Sequence, residues 1–145
     1  MRSGKSNNLL ASELWRISRL SMEAAELVMP MIENHDFKFQ VKHQLETYRA
    51  IAVQSAEILE RNGLNPNEKT GFIDRILRHS IKIDTSWNKD TSHLAQIAIH
   101  CTDAAMKNLV KAMNQSPDDN LEIRKLAEQY LDEAQRDLDS LKKYL

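Results

Sequence analysis

With 145 residues the chain is long enough for one hydrophobic core and too short for two ordinary domains, and a chain of this size buries roughly 68–70% of its unfolded surface. A formal net charge of −1 with 28% charged residues describes a solvated surface of mixed sign, which gives no electrostatic basis for non-specific DNA or RNA binding. Only three glycines, three prolines and 6% aromatics predict long helices with few turns, and so an all-α protein.

Met1 to Asn7 has no apolar period and is expected to be a flexible N-terminus, leaving residues 8–145 as a single domain. A first helix is predicted from about Asn8, with Leu10, Leu14, Ile17, Ser21, Ala24, Val28 and Met31 along its inner stripe. Pro30 lacks an N–H and crowds the carbonyl of Glu26, so this helix kinks or ends near Met29, and Asn34-His35-Asp36 forms the turn. Asp36 is the candidate cap of a second helix with the stripe Val41, Leu45, Tyr48, Ala52, Ser55 and Leu59. Gly63 in the left-handed conformation stops that helix, and Pro66 prevents its continuation.

From Thr70, a shorter apolar face of Phe72, Ile73, Ile76 and Leu77 predicts either a separate connecting helix or the first half of a long bent third helix reaching Met113. The third stripe is Leu94, Ala98, Cys101, Ala105, Leu109 and Ala112, started by Asp90 or Ser92. After the turn at Asn114 to Asp119, a fourth helix is predicted to begin at Ser116 as cap with Pro117 behind it, and Ala127, Tyr130, Leu131, Ala134, Leu138, Leu141 and Leu145 follow at helical spacing. Two hairpins with one apolar face each bury those faces only against one another. The expected architecture is an antiparallel four-helix bundle with a short extra helix or bent segment between helices 2 and 3.

Cys101 is the only cysteine, which excludes an intramolecular disulfide and a cysteine-based metal cluster, and its place on an apolar stripe predicts a buried small hydrophobe. No apolar run approaches the roughly 18 residues of a membrane span, and Glu13, Arg16 and Arg19 interrupt any secretory signal, so a cytoplasmic protein without a membrane partner is expected.

The Leu-Val-Met-Pro-Met run at 27–31, Glu46-Thr47 through Glu60-Arg61-Asn62-Gly63, and Thr102-Asp103-Ala104-Ala105 resemble small uncharacterised bacterial ferritin-like bundles, relatives of rubrerythrin that include stress-associated proteins. The resemblance spans roughly Leu10 to Leu145 and implies the ferritin-like fold. It carries no activity with it, because a fold hosts many functions.

Ferritin-like oxidases hold two metal ions between inward carboxylates, two of them paired with histidine as Glu-x-x-His. This chain has no such pair; it has the reversed His43-x-x-Glu46 and His100-x-x-Asp103. At about 100° per residue, these four side chains and Glu26 fall away from the apolar stripes, with Glu23 on a flank, and surface positions are expected for all six. Two acids do align with apolar stripes, Glu13 with Leu10 and Ile17, and Glu128 between Arg124 and Leu131. They are the candidate metal ligands, for iron or manganese, although each lies early in its helix, where the dipole alone favours a carboxylate. Gln44 and Asn108, also near inner faces, are expected to make interhelical hydrogen bonds. The scattered serines and histidines have no strained turn to present a nucleophile, and the three glycines stand too far apart for a phosphate loop. Met22, Met29 and Met31 read as core, with an adaptable groove as the alternative.

Three functional readings follow. The leading one is a non-catalytic bundle acting by association with itself or another protein, with Trp15 and Trp87 as exposed interface aromatics; burial under the connecting segment is the alternative for both. The second is a divergent iron- or manganese-binding oxidase or stress protein. The third is a small-ligand sensor with a cavity between helices, favoured only by the small residues Ala98, Cys101 and Ala105.

Overall fold

The computed structural model describes residues 2–66, 90–116 and 120–145. Four long helices pack together among them: α1 (Arg2–Val28), α2 (His35–Arg61), α3 (Thr91–Asn114) and α4 (Leu121–Leu141). Helix α1 begins at Arg2, so helical backbone already covers the segment expected to precede it. It ends where Pro30 demands, in a 3-10 turn at Met29–Met31. The face expected from Thr70 lies outside the described residues. Asp90 is not helical and α3 starts at Thr91, so no single helix runs unbroken into Met113.

The helix ends show which local signals prevail. Asn34, not Asp36, caps α2: its side chain accepts a hydrogen bond from the Phe37 N–H at 2.9 Å, while Asp36 sits in the first turn, where its charge complements the helix dipole. Replacing Asn34 with Ala is expected to cost about 1 kcal/mol, and replacing Asp36 less, as read from the shift of the urea midpoint. At the other end Gly63 adopts φ +75°, its N–H bonds the Glu60 carbonyl at 3.0 Å, and the Leu64 N–H bonds the Leu59 carbonyl at 2.9 Å. That pair of bonds is a Schellman motif. Ser116 does not start α4. Its hydroxyl is buried with no partner among the described residues, and Asn120 caps the helix instead, accepting from the Glu122 N–H at 2.7 Å.

Two core clusters fix the helix directions. One end of the bundle joins the first half of α1 (Leu10, Leu14, Ile17) to the last halves of α2 (Ile58, Leu59) and α3 (Leu109, Met113) and to the start of α4 (Ile123, Leu126). The other joins Val28 and Ile32 to Phe37 and Val41, to Leu94 and Ile97, and to Leu141. Helix α1 is therefore antiparallel to α2 and to α3, and α4 is antiparallel to α2 and to α3. The Phe37 ring stacks on Tyr144 with centroids 4.9 Å apart, and Arg61 meets Glu122 at 2.6 Å, so α2 and α4 align over their whole lengths. Helices α2 and α3 run the same way, and the chain leaves α2 at one end of the bundle and enters α3 at the other.

Trp15 is not an exposed aromatic. It is 6% exposed and belongs to the first core cluster, with Arg19 over its ring at 5.2 Å. Helix α1 packs on α2 and α3 and also touches α4, so it buries Ala11, Trp15 and Ser18 beside Leu10, Leu14 and Ile17, an arc about 160° wide rather than one stripe. Leu145, placed on the fourth stripe, is exposed beyond the 3-10 turn at Lys142–Tyr144.

Candidate functional site

The two candidate metal ligands do not form a site. Glu13 is half-buried, and both of its carboxylate oxygens are taken by Arg16 one turn along the same helix, at 3.3 and 2.5 Å. Glu128 is exposed, which corrects its inward placement: the buried face of α4 centres on Ile123, Tyr130, Ala134 and Leu141, and Glu128 stands about 140° around the helix from Ile123. Among the described residues no group of three His, Cys, Asp or Glu side chains could hold a metal ion, so the donor set of a di-metal centre is not assembled there. His43, Glu46, Glu26 and His100 are exposed as expected, whereas Glu23 and Asp103 are half-buried, Asp103 paired with Lys107 at 3.0 Å. Trp87 lies outside the described residues.

The structure opens a slot between α1 and α3 instead. Its volume is about 610 Å³, within the range of ordinary small-molecule sites. Ile17, Leu20, Ala24 and Val28 form the α1 wall, at the three- and four-residue spacing of one helix face, and Ile97, Ala98, Cys101 and Ala105 form the α3 wall. The floor is α2, through Val41, Gln44 and Tyr48. The middle of α3 is half-buried where a closed bundle would seal it: Ala98, Cys101 and Ala105 are all partly open, although Leu94 and Leu109 at either end are buried. Small side chains on the α3 wall, with Ala24 on the α1 wall, leave the gap, and larger ones at the ends close the bundle around it.

Several polar groups at the slot are already committed. The Ser21 hydroxyl donates to the Ile17 carbonyl at 2.9 Å, Thr102 to the Ala98 carbonyl at 2.8 Å, and Tyr48 to Asp137 at 2.6 Å. Two buried nitrogens, the Nε2 of Gln44, on a side chain 5% exposed, and the Nε2 of His93, have no hydrogen-bond partner among the described residues. The interhelical hydrogen bond expected of Gln44 is therefore not made by its amide nitrogen. Burial pushes the Cys101 thiol up to about 11, so it lines the slot as a neutral, unreactive group. No family model matches the chain, and neither does any curated protein or solved structure.

Behind the floor lies a polar chain that the periodicity did not single out. Ser21 and Tyr130 share a hydrogen bond at 2.6 Å, the Tyr130 and Tyr48 rings lie 5.1 Å apart, and Tyr48 donates to Asp137, a carboxylate 5% exposed. Burial raises the Asp137 carboxyl to about 6 against the opposing pull of the Tyr48 bond, and burial holds both phenols protonated. Helical spacing could have found Asp137, which follows Tyr130 by seven residues and Ala134 by three on one face. Its charge argued for the surface instead. With Ser21 and Tyr48 both lining the slot and both tied into this chain, the floor is held rigidly from behind.

Proposed function

We propose that the chain is a ferritin-like four-helix bundle that works by holding a small, largely apolar molecule in the slot between α1 and α3. The ferritin-like part of this reading is supported by the connectivity, in which a single long crossover joins two hairpins whose middle helices run parallel. The binding part is carried by one observation: the half-open middle of α3 leaves a slot of about 610 Å³ lined mostly by apolar side chains of α1, α2 and α3. An apolar ligand filling the slot removes its lining from water, which stabilises the complex by roughly 25 cal/mol per Å² of apolar surface. Neither competing reading has comparable support among the described residues. The oxidase reading needs converging ligands that Glu13 and Glu128 do not supply, and the association reading rests on exposed tryptophans, of which Trp15 is in the core.

Titration with the neutral solvatochromic dye Nile red tests this directly. Saturable binding of one dye per chain with a blue-shifted emission is expected. Ala98→Leu and Ala105→Leu, which fill the slot with good helix formers, should weaken it about tenfold or more without loss of helical circular dichroism. Absence of saturable binding, or equal binding by both filled variants, would overturn the proposal.

A further inference from the structure

The outer side of α2 carries a ridge that the bundle itself does not use. Phe39, Glu46, Ala50, Val53 and Glu57 are all exposed, and at about 100° per residue they fall within an arc of about 60°. Phe39 is 75% exposed, the most of any large apolar side chain among the described residues, and Val53 is 52% exposed. Val41, Gln44 and Tyr48, which floor the slot, lie on the opposite side of the helix, so the ridge and the slot are separate surfaces. Helix α4, which runs beside α2, shows an ordinary solvated face: every exposed side chain from Glu122 to Asp139 is polar. A phenyl ring in line with Ala50 and Val53 has instead the composition of an interface centre, where aromatic side chains are enriched.

The charges beside the ridge say what fits on it. Lys38 and Lys42 stand at its start, Glu46 and Arg49 at its middle and Glu57 at its end, all of them exposed. This order is self-complementary. A second copy laid antiparallel along the ridge, with the two-fold axis at the level of Thr47 and Tyr48, brings together residues equally far from that point on either side. Lys38 then meets Glu57 of the second copy, Arg49 meets its Glu46, and Phe39 enters between its Val53 and Glu57. Symmetry makes each contact twice. A parallel pairing would set Lys38 on Lys38 and Glu57 on Glu57. Arg49 can turn outward because its ion pair with Glu26 of α1 is loose, at 3.8 Å with both side chains 52% exposed. The ridge from Phe39 to Glu57 is about 27 Å long and a helix about 10–12 Å across, so the contact covers roughly 300 Å² on each copy. Stable interfaces cover about 800 Å² a side, so this one is weak.

We propose that the outer face of α2 pairs antiparallel with the same face of a second copy of this chain, forming a weak two-fold dimer held by Phe39 at its centre of contact and by Lys38 to Glu57 and Arg49 to Glu46 pairs between the copies. The slot lies across α2 from this contact and is not covered by it.

Sedimentation equilibrium of the whole chain from about 10 μM to about 1 mM at pH 7 tests this, and a monomer–dimer equilibrium with a Kd of about 50–500 μM is expected. Phe39→Asp, a change at an exposed position, should weaken association about tenfold or more while helical circular dichroism stays as in the parent. Lys38→Glu and Glu57→Lys each set like charges together twice and should each weaken it about three- to fivefold. An equal mixture of these two single variants should return to within about twofold of the parent, because in the mixed dimer opposite charges face each other again at both ends. A parent that stays monomeric at about 1 mM, or a dimer that Phe39→Asp leaves intact, would overturn the proposal. Single charge variants that associate as the parent does, or that fail to recover on mixing, would overturn the antiparallel pairing of α2 with itself.

Discussion

Replacing Trp15 with Ala is expected to destabilise the bundle by about 3–5 kcal/mol, the range for deleting a large aromatic from a packed core. Domains of this kind hold about 5–15 kcal/mol in all, so this one truncation removes a large part of the margin and lowers the melting temperature by roughly 10 °C or more. The expectation follows from place. Trp15 sits in the cluster where α1 meets the ends of α2 and α3 and the start of α4, and a hole there is lined from several directions and collapses poorly. Urea unfolding followed by circular dichroism measures it, with the slope unchanged and the midpoint moved. Glu128→Ala is the control, an exposed change expected within about 0.5 kcal/mol of the parent. Were Trp15 an interface anchor on an exposed face, its removal would leave the monomer's midpoint where it was and alter only association. A midpoint shift below about 1 kcal/mol would therefore restore the surface role that the buried indole excludes.

The same residue explains how far periodicity reaches. Signals contained within one turn of chain were legible: Pro30 ends α1, Gly63 takes the left-handed position, and every position on the predicted α2 stripe is buried. Where two capping residues compete within a few positions, local chemistry does not choose between them, and Asn34 and Asn120 prevail over Asp36 and Ser116. The width of a buried face is a property of the assembly. A helix touching one neighbour buries a stripe and one touching three buries an arc, so Trp15 passes from the polar side to the core with no change in its own sequence neighbourhood.

The slot was visible only as the small residues Ala98, Cys101 and Ala105, and a stripe of small side chains can as well let two helices approach closely as hold them apart. The spacing of α1 and α3 decides between those outcomes, and it is set by the large residues at the bundle ends, Leu94 and Leu109 among them. Asp137 escaped notice because a charged residue on an apolar face is ordinarily assigned to the surface, and its partner Tyr48 is 89 residues away in the chain.

Asp137 carries the second large expectation, and its sign is opposite to that of an ordinary salt-bridged acid. Its carboxyl is raised in the folded state from 3.8 to about 6, chiefly by burial and further by Glu133, while Tyr48, His43 and Arg136 pull it down. Below about pH 4 the group is protonated in both folded and unfolded chains and contributes no pH dependence. Between about pH 4 and pH 6 the unfolded chain has lost a proton that the folded chain keeps, so stability falls as pH rises, and above that window the full penalty of an ionised buried carboxylate remains. Two units at 1.36 kcal/mol each set the penalty at about 3 kcal/mol.

Asp137→Asn removes the charge and keeps an oxygen for the Tyr48 hydroxyl, at the cost of burying an amide N–H₂. It is expected to be more stable than the parent by about 1–3 kcal/mol at pH 8, with the advantage vanishing near pH 4. Tyr48→Phe should act the other way, costing more at pH 8, where it strips an ionised carboxylate of its donor, than at pH 4, where the carboxyl is neutral. Urea midpoints of the parent, both single variants and the double variant at pH 4, 6 and 8 separate the buried pair from every other carboxylate in the chain, because only the differences between variants are read. A parent-to-Asn gap that stays flat from pH 4 to pH 8 would mean that Asp137 titrates as an exposed acid. A gap that opens across pH 4 to 6 and widens further at pH 8 in the Tyr48→Phe background would show Tyr48 donating to the ionised carboxylate, as the 2.6 Å bond places it, between the floor of the slot and the interior of the bundle.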